Sequence, residues 1–159
     1  MKQSFKLLSL VVIAVIIGLY NCKDKDSKDP APDTRTKKEF ITLSQWKLTT
    51  STCNVAVDTD GKDGASTDLL SQMLECDRDD TYLYKLDSTT LEYTNVKCKS
   101  SEPNAWKGSW IFKNNETTLY WNGYDYPLIE LNATKMTMKY SFKIGADTYE
   151  ITDTYTHPK

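Results

Sequence analysis

From Phe40 onward this sequence predicts an all-β fold: an antiparallel up-and-down barrel, or a sandwich, of about eight short strands with one short helix. Three observations carry that expectation. Apolar residues recur with a period of two rather than 3.6. Short clusters of turn-forming residues separate the runs. The chain has 159 residues with 11% aromatics, 6 Gly and 5 Pro, which suits one packed domain and excludes collagen-like or low-complexity sequence.

The elements follow in order. Trp46 and Leu48 alternate with Lys47 and Thr49. A polar stretch, residues 51–66, reads as a loop. In residues 68–74, Leu69, Leu70, Met73 and Leu74 recur at helical spacings, and Thr67 is a plausible cap, so a short helix is expected here. Tyr82, Tyr84 and Leu86 alternate with Leu83, Lys85 and Asp87, and Leu91 and Tyr93 follow after a Ser-Thr-Thr turn. Trp106, Gly108, Trp110 and Phe112 alternate with lysines and Ser109 before the turn Asn114-Asn115-Glu116. Leu119 and Trp121 share a face, and Asn122-Gly123 is a strong hairpin signal. Ile129 and Leu131 are placed on one face of the next strand. Met136, Met138, Tyr140 and Phe142 alternate with Thr137, Lys139, Ser141 and Lys143; after a Gly-Ala-Asp turn, Tyr149, Ile151 and Tyr155 close the series. One apolar and one polar face per strand is the pattern of antiparallel sheets wet on one side.

The first 22 residues read as an address. Lys2 and Lys6 precede an apolar run over residues 7–20, and those 14 residues fall short of the roughly 20 a spanning helix needs. Cys22 stands where cleavage would fall, with Leu19 three positions before it. This resembles a bacterial lipoprotein signal peptide, residues 1–21, with Cys22 as the lipidated first residue; Tyr20 and Asn21 depart from the small residues usual there. The ordinary alternative is a signal peptide or anchor with an incidental Cys. Several acyl chains of the palmitate kind on Cys22 would hold the protein on a membrane, each buried CH₂ adding about 0.8 kcal/mol. Residues 22–39 then form a tether: between 23 and 39 six basic and five acidic residues surround a single Ala31, too little apolar surface to offset ordering entropy. The whole chain carries −2, but residues 40–159 hold 12 basic and 17 acidic side chains, a net of −5. Such a domain is not built to bind nucleic acid or lie flat on an anionic membrane.

The ordered motifs Leu43-Ser44-Gln45-Trp46-Lys47-Leu48, Cys76-Asp77-Arg78-Asp79-Asp80 before Tyr82, Gly108-Ser109-Trp110, and Ile129-Glu130-Leu131-Asn132 before Met136 are together similar to the lipocalin-like lipoprotein domains of Bacteroidota. Ser44 and Asn132 depart from that pattern, and the 51–66 loop is long for it. The resemblance covers about residues 41–156. It implies a lipocalin-like β-barrel over 40–159, in the cell envelope and on the outer membrane in a periplasmic or surface-facing position, with no agreed ligand and no cofactor.

With Cys22 lipidated, Cys53, Cys76 and Cys98 remain, which allows three pairings. A 76–98 bridge joins the two ends of a hairpin and is geometrically natural; a 53–76 bridge would instead pin the long loop to the helix end. The resemblance favours Cys76–Cys98, leaving Cys53 as a buried or a reactive thiol. Asp77, Asp79 and Asp80, and the run Asp58-Thr59-Asp60-Gly61-Lys62-Asp63-Gly64, hint at calcium, yet Lys62 occupies a ligand position and turn chemistry explains the other cluster. No metal and no catalytic set is assigned, and lone His157, beside Pro158, reads as frayed terminus.

The aromatic faces are the functional clue. An eight-stranded barrel is either packed solid or holds one small ligand. Trp46, Trp110, Met138 and Tyr140, inward by alternation on separate strands, are the candidate lining of a cavity. The expected function is non-catalytic binding of a small apolar or amphipathic ligand. The alternative is a surface interaction module or accessory subunit with a solid core, contacting a protein or glycan through residues 51–66 and 99–105.

Overall fold

The computed structural model describes residues 33–59, 61, 64–94, 96–144 and 146–159. The expected signal peptide, Cys22 and most of the tether lie outside the described residues.

Helix α1 (Lys37–Ile41) precedes strands β1 (Trp46–Val57) and β2 (Ser66–Asp68), then the one-turn helices α2 (Leu69–Gln72) and α3 (Glu75–Arg78). Seven strands complete the chain: β3 (Thr81–Tyr84), β4 (Thr89–Tyr93), β5 (Ala105–Lys113), β6 (Thr118–Trp121), β7 (Tyr124–Leu131), β8 (Lys135–Ile144) and β9 (Asp147–Thr156). All neighbours are antiparallel. β1 and β3–β9 form an eight-stranded up-and-down barrel, closed where β1 pairs with β9 from Lys47↔Thr156 to Cys53↔Ile151. β2 is an extra strand on the outer half of β1.

The interior is filled. Ile41, Trp46, Tyr84, Trp110, Leu119, Trp121, Met136, Met138 and Tyr155 form one buried cluster. The two most enclosed indoles have their N–H groups satisfied, Trp46 Nε1 donating to Ile41 O at 2.8 Å and Trp110 Nε1 to Lys85 O at 2.9 Å. α1 brings Phe40 and Ile41 under the barrel, started by a capping box between Thr36 and Glu39 and tied by Lys37 Nζ to Glu116 O at 2.6 Å. A helical turn thus stands inside the stretch read as tether.

Several expectations shift for identifiable reasons. Residues 51–57 are strand rather than loop, because β1 finds two partners there, β9 and β2, and turns Ser51 and Cys53 inward. Asp68, not Thr67, caps α2, accepting from Ser71 N at 3.2 Å. Ile129 does not share a face with Leu131: the register passes from Leu128↔Met138 to Glu130↔Thr137, a bulge that puts Ile129 outside at 64% exposure. Leu86 is exposed in the β3–β4 turn, and Trp106 is 55% exposed. His157 is not frayed. Its Nδ1 and Nε2 lie 2.8 Å from Gln45 O and 2.9 Å from Ala133 O, with its ring 4.2 Å from Trp46.

Other expectations are met. Cys76 and Cys98 are bonded across the ends of the β3–β4 hairpin, 22 residues apart, a closure worth about 3 kcal/mol in the chain-entropy view. Cys53 is a buried free thiol. Asn122 and Gly123 both adopt positive φ in a two-residue hairpin.

That hairpin also explains Gly108. Asn122 Oδ1 accepts from Ser109 N at 3.1 Å and lies where a Cβ on Gly108 would have to go. Gly108→Ala should therefore destabilise the protein by about 1–3 kcal/mol, the usual penalty of overpacking. Adding Asn122→Gly, which removes the obstructing side chain, should recover part of the loss, as read by urea unfolding.

Candidate functional site

The barrel wall opens between β7 and β8. β7 pairs with β8 only from Leu128 to Leu131, against Met136–Met138. Its first half, Tyr124–Pro127, follows β6, while Lys139–Ile144 of β8 follow β9. The two strands diverge and leave a cleft. One part has a volume of about 280 Å³ and is lined by Tyr124, Asp125, Tyr126, Tyr140, Ser141 and Phe142. An adjoining, more open space of about 480 Å³ shares Asp125, Tyr140 and Ser141 and includes Pro127, Ile129, Lys139 and Glu150. Two ion pairs flank it, Lys113–Asp125 at 2.8 Å and Lys139–Glu150 at 2.9 Å.

Of the four residues expected to line a cavity, Tyr140 reaches this cleft. Trp46, Trp110 and Met138 sit in the packed core, at 0%, 2% and 0% exposure. The structure brings Tyr140 together with Tyr126, whose rings meet edge to face at 5.1 Å. From there rings continue inward, Tyr126 to Trp121 at 5.8 Å and Trp121 to Tyr82 at 4.9 Å.

Behind the rings stands Asp153. It occupies an inward position of β9 between Ile151 and Tyr155, and its Oδ2 accepts from Tyr140 OH at 3.0 Å. Burial pushes its carboxyl above the usual range, against the opposing effect of Ser51 and Tyr140. Burial also raises Tyr140 and Tyr126, with Asp153's charge as the next cause. Sequence reading passed over Asp153 and Tyr126. The available signal was an acid in phase with the apolar face of Ile151 and Tyr155.

No protein-family model matches this chain. A search of curated proteins likewise finds no match.

A second acidic group lies at the start of β3. Asp80 is buried, and Oδ1 has no hydrogen-bond partner. Glu92, across β4, is raised mainly by burial, opposed by its hydrogen bond with Tyr82. Among the described residues the one group close enough to share an ion is Cys76, Asp77 and Cys98, and its sulfurs are joined to each other.

Asp80 gives a pH prediction. Burial first, then the charges of Glu92, Asp79, Asp77 and Glu102, raise its pKa from 3.8 to about 6. The folded state therefore holds this proton more tightly than the unfolded chain. The stability it contributes is present below pH ~4 and is lost as pH rises through ~6. Asp80→Asn should be more stable than the parent at pH 7.5, with the advantage shrinking towards pH 4, in urea unfolding at each pH. An advantage independent of pH would contradict the assignment.

Proposed function

We propose that this protein is a lipid-anchored lipoprotein of the cell envelope, held through Cys22 on the outer membrane, whose lipocalin-like barrel binds a small amphipathic ligand without catalysis. The observation that carries the binding reading is the opening between β7 and β8. The barrel interior is occupied by its own rings, so the aromatic cleft at Tyr126, Tyr140 and Phe142 is where a ligand finds apolar walls next to polar groups. Binding rather than catalysis fits the position of His157, engaged with the carbonyls of Gln45 and Ala133 and packed on Trp46. The anchor rests on the n-region, apolar run and Cys22 of the sequence.

A second reading, an interaction module for a protein or glycan, draws on a different place. A space of about 520 Å³ lies between the outer half of β1 and the β8–β9 hairpin, lined by Val57, Thr59, Phe142 and Tyr149 among others. It belongs to the 51–66 region, although half of that region is strand. Tyr149 and Phe142 stack there at 5.0 Å.

Two measurements test the main reading. Native mass spectrometry of the protein extracted from envelopes should show a retained small molecule, lost when Ser141→Trp fills the cleft. Retention unchanged in that variant would move the site elsewhere. Cys22→Ala should shift the protein from the membrane to the soluble fraction, and persistent membrane association would contradict the lipid anchor.

A further inference from the structure

Asp153 is held in an unusual state for a carboxylate. It is 6% exposed, opposite Ser51 of β1 and Met138 of β8 in register. One oxygen accepts from Tyr140, and the other, Oδ1, is fully enclosed and makes no hydrogen bond of ordinary geometry, the Ser51 hydroxyl being the other donor near the carboxyl. Among the described residues no cation reaches it, since the lysines flanking the cleft are committed elsewhere, Lys113 to Asp125 and Lys139 to Glu150. A buried carboxylate ordinarily acquires a positive partner or a full set of donors.

Aromatic rings surround the same place. Tyr140, Tyr126, Trp121, Tyr82 and Tyr155 form a continuous edge-to-face or tilted chain, with centroids 4.9 to 5.8 Å apart. Ring faces carry negative quadrupole charge, and they attract a desolvated cation more strongly than an exposed one. At the cleft the accessible rings are Tyr124, Tyr126, Tyr140 and Phe142, with the Asp125 carboxylate at the lip. Tyr140 links the two parts: its ring lines the cleft, and its hydroxyl ends on Asp153.

We infer that the cleft selects ligands bearing an organic ammonium group, seated against the Tyr126 and Tyr140 rings with Asp153 behind them as the balancing negative charge. This rests on the cleft being the ligand site proposed above. Tyr140 supplies the contact, and Asp153 acts through it as a positioning residue, its charge set in a buried position behind the ring. The competing occupant of this region is ordered water on Asp153, which would give no preference among ligand charges.

The test compares three probes of one shape, phenethylammonium, neutral 2-phenylethanol and anionic phenylacetate, by NMR titration of the full-length chain in detergent at pH 7.5. Phenethylammonium should bind tighter than either of the others by about tenfold or more, the scale of one desolvated cation–π contact or charged hydrogen bond. Asp153→Asn, which keeps size and shape, should reduce that ratio to about threefold or less while leaving 2-phenylethanol binding in place. Tyr140→Phe, which keeps the ring and cuts the link to Asp153, should give an intermediate ratio and stands in if the Asp153 variant fails to fold. Equal binding of all three probes at the cleft would overturn the ammonium preference and leave the cleft as a ligand site. A preference unchanged in both variants would overturn the role of Asp153. No binding of any probe would overturn the cleft reading, and this inference with it.

Discussion

Closure of the barrel between β1 and β9 is the constraint on which the rest of the structure depends. Six residues of β1 are in register with β9, with a shift at Thr49, and β9 is in turn paired with β8 along its whole length, from Asp147↔Ile144 to Thr156↔Lys135. One side of the barrel is therefore long. The other side is built from strands of four or five residues, β3, β4 and β6, with β5 spanning both neighbours in halves. A long wall and a short wall cannot stay in register to their tops. The mismatch falls between β7 and β8, where pairing stops at Leu128↔Met138 beside the bulge at Ile129. The cleft is thus a consequence of closure and strand length, not a separate device.

The same closure decides what the interior can hold. Three indoles, several tyrosines and two methionines point into a small barrel, and they interlock into one cluster that also takes in Ile41. The closed end is capped by α1 and His157, and the disulfide Cys76–Cys98 ties the β3–β4 hairpin at its opposite end from the turn. Volume that a deep calyx would have offered is used for packing. What remains is a lateral opening, backed by a buried acid whose second oxygen makes no hydrogen bond of ordinary geometry. Asp153 is thereby left, like Asp80, as a buried acid with an oxygen that makes no hydrogen bond, and it stands beside the opening through Tyr140.

Much of the fold was legible in the sequence. The long strand over residues 136–142, the Asn122-Gly123 hairpin and the hairpin-end cysteines are local signals that appear in the structure, although Thr137, expected on the polar face, is buried beside Met136 and Met138. What escaped was non-local. A bulge adds one residue to a strand without altering its composition, so alternation put Ile129 on the wrong face. Residues 51–57 are strand with β2 and β9 flanking them, and their Val55 and Val57 are a strand signal masked by the polar residues that follow. His157 is positioned by Gln45 and Ala133, both far away in the chain. The candidate site was half legible: Tyr140 was marked, whereas Trp46, Trp110 and Met138 share its inward phase yet lie deeper in the core. Alternation reports which face a residue takes, not its depth along the barrel.

β7 and β8 separate above Met138 and leave an unpaired edge on the barrel. Hydrogen–deuterium exchange resolved to single amides tests this separation directly. Amides of β8 from Lys135 to Met138 should be protected throughout, while between Lys139 and Ile144 every second amide, the set turned away from β9, should exchange quickly. Uniform slow exchange along the whole of β8 would show the two strands zipped together to their ends and would contradict the account.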